Sequence, residues 1–225
     1  MQSRPAAERR EELVALYREA SACVRCPLHE GRTNVVFGNG NADADLMFVG
    51  EAPGHHEDLQ GLPFVGRAGQ LLDQLLGEIG LSRQDVFVAN TLKCRPPGNR
   101  DPQPDEIDTC KPYLNRQIEL IGPKVICTLG NFATKLLTRS NRGITSVHGR
   151  PQVHELGGRT VRVYPLYHPA AALRSTGTLG QLREDFSRLR GLLDEPPPVP
   201  LGAVAPVAAA VAAADPEPSQ MGLFG

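Results

Sequence analysis

The chain has 225 residues, 40% hydrophobic and 22% charged, with a formal net charge of −1. That is enough apolar material for one well-packed domain, and the near-neutral balance excludes a protein that grips nucleic acid by bulk positive charge, while leaving room for a local basic groove. The charged start, Met1 to Arg10, has no apolar stretch of the signal-peptide kind, and no apolar run is long enough to span a bilayer. The sequence therefore reads as a soluble, cytoplasmic protein.

In chain order, Leu13, Val14, Leu16 and Tyr17 recur at helical spacing within Glu8 to Ala20, ahead of Cys23 and Cys26. Asp45-Leu-Met-Phe-Val-Gly predicts a buried strand. Ala68 to Ile79 predicts an amphipathic helix carrying Leu71, Leu72, Leu75 and Leu76, and Val86 to Asn90 a second strand. A Pro/Gly loop from Arg95 to Gln103 leads to a helix opened by Pro104, which Pro112 is expected to break or restart. Lys124 to Leu129 predicts a third strand with Cys127 as a buried core residue, and Asn131 to Leu137 a helix. Val153 to Val163 reads as a hairpin about Gly157-Gly158 that runs on into Tyr164 to Tyr167, and Leu179 to Leu193 as a closing helix. This alternation predicts an α/β fold, a three-layer αβα sandwich on a mostly parallel sheet. Its ligand cleft should lie at the carboxyl ends of the strands, beside the loops after Val49, Ala89 and Leu166.

From Pro196 the composition shifts to proline and alanine. The expected organisation is thus a folded domain over 1–195, a disordered linker over 196–219, and a terminal peptide over 220–225.

Cys23 and Cys26 form a C-x2-C pair, with Cys94 and Cys110 as later singles. Four thiolates suit a 4Fe-4S cluster or a structural zinc, with a disulfide pair as the plain alternative. At the first strand end, Gly50-Glu51-Ala52-Pro53-Gly54 is a glycine-flanked turn, which brings backbone N–H groups close to a ligand and offers one carboxylate to orient a water. Neither phosphate-binding glycine motif is present.

These residues together carry a resemblance. Gly50-Glu-Ala-Pro-Gly, Gly61-Leu-Pro-Phe-Val-Gly, Asn90, Lys93-Cys94-Arg95-Pro96-Pro97-Gly98-Asn99-Arg100 and Tyr167-His168-Pro169, joined by the four cysteines, resemble the family 4 uracil-DNA glycosylases over about residues 12 to 193. The resemblance implies an enzyme that flips uracil out of DNA and hydrolyses its glycosidic bond to leave an abasic site. It also implies a structural 4Fe-4S cluster on Cys23, Cys26, Cys94 and Cys110, with no cofactor in the chemical step. An iron-sulfur DNA-binding or electron-relay module that keeps the fold without the reaction is the alternative class.

The implied roles match the residue types. Phe64 would stack on the extruded base, where its plain reading is a core phenylalanine. Asn90 can donate to uracil O4 and accept from N3–H, where its plain reading is a turn residue. His168 would donate to uracil O2, where charge develops, and Glu51 would position the attacking water, with Gly50 and Ala52 lining the uracil site. Glu57 and Asn99 would support catalysis, Arg100 and Arg174 would contact the DNA, and Leu173 would wedge into the base stack. A covalently attaching branch of the family carries a basic, histidine-containing insertion after the second strand. Arg95 to Gln103 stands in that place here, which favours turnover.

Gln220-Met-Gly-Leu223-Phe224 resembles the short peptide by which bacterial repair proteins dock on the beta sliding clamp, with Gln220, Leu223 and Phe224 as anchors. A linker of this length reaches roughly 30 to 70 Å. The expected partners are therefore uracil-containing DNA and the clamp, for a monomer associated with the nucleoid.

Overall fold

The computed structural model describes residues 5–199. Leu46–Gly50 (β2), Val86–Asn90 (β3) and Val125–Leu129 (β4) are buried at every position, as strands covered on both faces must be. With the edge strand Asn39–Gly40 (β1) and the hairpin Gln152–Leu156 (β5) and Arg159–Leu166 (β6), they form one sheet in the order β1-β3-β2-β4-β6-β5. The four inner strands run parallel, and each edge strand is antiparallel to its neighbour.

Alternate residues of each inner strand face opposite layers. Met47, Val49, Phe87, Ala89 and Ile126 join Leu13 and Ala20 of Ala6–Ser21 (α1), Leu114 and Ile118 of Pro104–Ile121 (α5), and Ala133 of Asn131–Thr138 (α6). Leu46, Phe48, Val88 and Cys127 meet Leu72 and Leu76 of Arg67–Glu78 (α4), Phe186 of Thr176–Ser187 (α9) and Leu192 of Leu189–Asp194 (α10). The result is the expected three-layer sandwich. Each large side chain so buried contributes roughly 1.5–3 kcal/mol.

Some expectations change. Pro112 does not interrupt α5, which runs through it. The buried face of Cys110, Tyr113, Leu114, Gln117 and Ile118 outweighs the one backbone bond that proline removes. The closing helix starts earlier, where the Ser175 hydroxyl caps it by accepting from Thr178 N–H. It also divides at Arg188 into α9 and α10. Short helices at Leu28–Gly31 (α2), His55–Gln60 (α3), Ile144–Val147 (α7) and Pro169–Ala172 (α8) carry too few residues for a periodic signal. No helix among the described residues is long and apolar enough to cross a membrane. Of the expected linker, Arg162 donates to the Pro196 carbonyl and pairs with Glu195. The rest of it, and the terminal peptide with Gln220, Leu223 and Phe224, lie outside the described residues.

Candidate functional site

The parallel register sets Gly50 opposite Asn90 and Leu129 opposite Leu166, so the loops after four strands leave one rim of the sheet. Beyond it the chains after β2 and β3 run on together, with Thr91 N–H donating to Gly50 O and Leu92 N–H to Glu51 O, both at 3.0 Å. A Cβ on Gly50 would lie 2.4 Å from the Asn90 side-chain oxygen and 2.7 Å from the Phe64 ring. Only glycine lets these two side chains converge. Ala52 packs half-buried against the α5-side core.

Phe64 holds a left-handed backbone, φ 55°, a conformation a bulky residue keeps only when its surroundings enforce it. Three features do so. Arg83 donates to the Phe64 carbonyl at 2.9 Å, and Glu57 accepts from the N–H groups of Val65 and Gly66 at 3.0 and 3.1 Å. Gly69 leaves room for that carbonyl, which would lie 1.6 Å from a Cβ. Glu57 thus braces the loop that carries Phe64. Arg83 has no signal in the sequence, since it lies far along the chain from the loop it holds.

The buried Asn90 keeps its side-chain amide free of hydrogen bonds among the described residues. Its backbone carbonyl is held from behind by Lys93 Nζ at 2.7 Å, and Lys93 also donates to Gln117 Oε1 at 2.7 Å. Gln117 in turn donates to Phe37 O. Lys93 is almost wholly buried, and nothing in its motif foretells that a charged residue would be the strut behind the pocket.

His168 begins α8. Its Nδ1 accepts from Ala170 N–H at 3.1 Å, which places the ring hydrogen on Nε2 and leaves that donor uncommitted among the described residues. Its ring stacks on Phe64, centroids 5.6 Å apart. Burial pushes its pKa down to about 4, only partly opposed by the charge of Glu57. The imidazole is therefore neutral near pH 7, a donor without a charge. Glu51 is half-buried and without a side-chain hydrogen bond among the described residues. Burial, with the charge of Asp101 behind it, raises its pKa above the ordinary carboxylate value.

Asn99 is turned outward in a left-handed conformation, φ 56°, and accepts from Arg95 Nε at 2.7 Å. Arg95 also donates to His55 Nδ1. Arg100 is committed to the buried Glu106 through two hydrogen bonds, 2.5 and 3.0 Å, so its charge is largely balanced. Leu173 and Arg174, just past α8, are exposed and make no side-chain bond among the described residues.

Cys23, Cys26, Cys94 and Cys110 line one small cavity with Arg32, Lys93 and Tyr113. No three Cys, His, Asp or Glu side chains among the described residues are preset around a single metal ion. A shared cavity, not a finished coordination geometry, is what the four have in common. Arg32 donates to Cys94 Sγ and the Lys93 backbone N–H to Cys110 Sγ, contacts that would stabilise negative charge on these sulfurs. Burial pushes the Cys94 thiol up to about 11 and raises Cys26 and Cys110 as well. Burial also acts on Cys23, but hydrogen bonds from Tyr113 and Arg25 outweigh it and leave that thiol below its usual value. The buried Cys94 and Cys110 thiols ionise more readily when a bound cation balances the thiolate charge, so the donor set fits a metal group. Cys127 is wholly buried in β4, away from this cavity. A separate recess of about 570 Å³ between α5, α6 and the β5–β6 turn contains none of the site residues.

A family model described as the uracil DNA glycosylase superfamily matches residues 37–190. A type-4 uracil-DNA glycosylase of Sulfurisphaera tokodaii is 47% identical over 83% of this chain and 87% of its own length. Those of Archaeoglobus fulgidus and Thermotoga maritima are 45% and 48% identical, over 84% and 74% of this chain and 96% and 86% of theirs. The chain belongs to the uracil-DNA glycosylase superfamily and, within it, to the type-4 uracil-DNA glycosylases.

Proposed function

We infer that this chain excises uracil from DNA, leaving an abasic site and so initiating base excision repair. The observation that carries the residue assignment is the convergence of Phe64, the unbonded Asn90 amide and the Nε2–H of His168 at one rim of the sheet. Conversion of a uracil-containing oligonucleotide to an alkali-labile product tests the activity, and substitutions at these positions test the assignment.

The base leaves the helix, at a cost of a few kcal/mol, and rests on the Phe64 ring between the walls formed by Gly50 and Ala52. Asn90 reads its edge, donating to O4 and accepting from N3–H. Cytosine presents the reverse pattern and would face donor with donor. Leu173 fills the gap in the stack, with Arg174 and Arg100 beside the backbone. As the C1′–N1 bond breaks, its electron pair leaves with uracil, and His168 Nε2–H stabilises the charge at O2. Glu51 orients the water whose oxygen bonds to C1′ and accepts its proton, which is returned to uracil at N1. Asn99 and Glu57 support this arrangement from its edge.

Cys23, Cys26, Cys94 and Cys110 would hold a 4Fe-4S cluster, which ties distant segments together and takes no part in bond cleavage. Gln220, Leu223 and Phe224, on the 196–219 linker, would tether this monomer at the nucleoid by docking in a groove of the beta sliding clamp, with about micromolar affinity. Support for the tether is the sequence pattern alone. Clamp binding should vanish when Leu223 and Phe224 become alanine, and equal binding by the intact chain and one ending at Ser219 would refute it.

A further inference from the structure

Between Leu120 and His154 the chain has no Asp or Glu, while Lys124, Lys135, Arg139, Arg142 and Arg150 all fall there. A long stretch with one sign of charge meets partners of the other sign. Not all five cations are available. Lys124 pairs with Asp45, Arg139 lines the recess beside Glu155, and Lys135 lies part-buried on α6. Arg142 and Arg150 are exposed, one on each side of α7, and neither side chain is bonded among the described residues.

Three contacts fix where this pair sits. Ile144 N–H donates to Asn131 Oδ1 at 3.1 Å, which draws α7 to the carboxyl end of β4. Gly149 N–H donates to Pro165 O at 2.9 Å, near the carboxyl end of β6. The His148 ring lies 4.4 Å from Tyr167, next to His168, and its Nδ1 bonds the buried Asp185 at 2.7 Å. Arg142 and Arg150 are therefore held by an anchored loop on the His168 side of the pocket, the side where Arg174 is also uncommitted. Arg100, by contrast, is paired with Glu106.

We propose that Arg142 and Arg150 form a binding site for DNA backbone phosphates flanking the extruded nucleotide. The inference rests on the reading of the rim as a base pocket. The phosphates of a duplex laid across that pocket are the ligand these free guanidinium groups fit, and each contact would release condensed counterions.

The test is the salt dependence of binding to a duplex carrying 2′-fluoro-deoxyuridine, which resists excision, between about 50 and about 200 mM salt. The plot of log affinity against log salt should become shallower by about 1.8 in the R142A/R150A double variant, at about 0.9 per phosphate contact. Arg159→Ala, an equally exposed cation at the opposite end of β6, should keep the wild-type slope. A wild-type slope in the double variant, or an equal loss in R159A, overturns the proposal. Because binding to this duplex needs no turnover, a wild-type protein that leaves ordinary uracil in place would sink the activity and not the phosphate site.

Discussion

The rings of Phe64 and His168 lie nearly parallel, 26° apart with centroids 5.6 Å from each other. The two rings thus form one packed wall at the rim of the sheet, where the proposed base platform and leaving-group donor would act together. Phe64→Leu keeps apolar bulk but removes the π-face. It should raise KM for uracil-DNA and weaken inhibition by free uracil about 10- to 100-fold, the equivalent of about 1–3 kcal/mol for a stacked base. Unaltered uracil inhibition would show that the ring only fills the core.

The two pKa shifts predict an unusual pH profile. With His168 titrating at about 4, excision should be flat across pH 6 to 8, where an unperturbed histidine at about 6.5 would produce an inflection. Glu51 must be ionised to accept a proton, and its raised pKa places the acid limb above the ordinary carboxylate value of about 4.3. Activity should fall as pH drops through that limb. Glu51→Gln should abolish the limb together with most of the rate, as single-turnover kinetics across pH would record.

The sequence made the inner strands and the leucine face of α4 legible because apolar continuity and helical spacing are local properties. Phe64, Asn90, His168 and the four cysteines were legible as motifs, and the structure gathers the first three at one rim and the cysteines around one cavity. The braces were not. Arg83 holds Phe64 and Lys93 holds Asn90 through contacts that exist only once the sheet has formed. The pairing of Arg100 with Glu106 at the start of α5 was equally hidden, because the sequence does not show which acid an arginine will meet. The continuity of α5 through Pro112 likewise depends on burial, which overrides local preference.

Lys93 and Gln117 supply a test of that bracing. Lys93→Met leaves the Asn90 carbonyl and Gln117 Oε1 without their donor, at a cost of about 1–3 kcal/mol, and should loosen Asn90. Gln117→Leu cannot touch the base yet removes the outer anchor. Both should weaken inhibition by free uracil, by up to about tenfold for Gln117→Leu. Uracil inhibition unchanged in Gln117→Leu would confine Gln117 to fold stability.

The cysteine cavity predicts its contents. Protein purified without oxygen should be brown, with broad absorption near about 400 nm and about four irons per chain. Cys110→Ser should lose iron and melt at lower temperature, since the proposed metal group would clip α5 to the segment after α1. Colourless, zinc-containing, active protein would contradict the assignment.

The most direct test is single-turnover excision from a uracil-containing oligonucleotide, read by alkaline cleavage, for the wild type, Glu51→Ala and His168→Ala. The account predicts complete conversion by the wild type and a slowing of about 10²- to 10³-fold in each variant, the size of loss seen when a charge-stabilising donor is removed. Uracil left intact by the wild type, or wild-type rates in both variants, would contradict it.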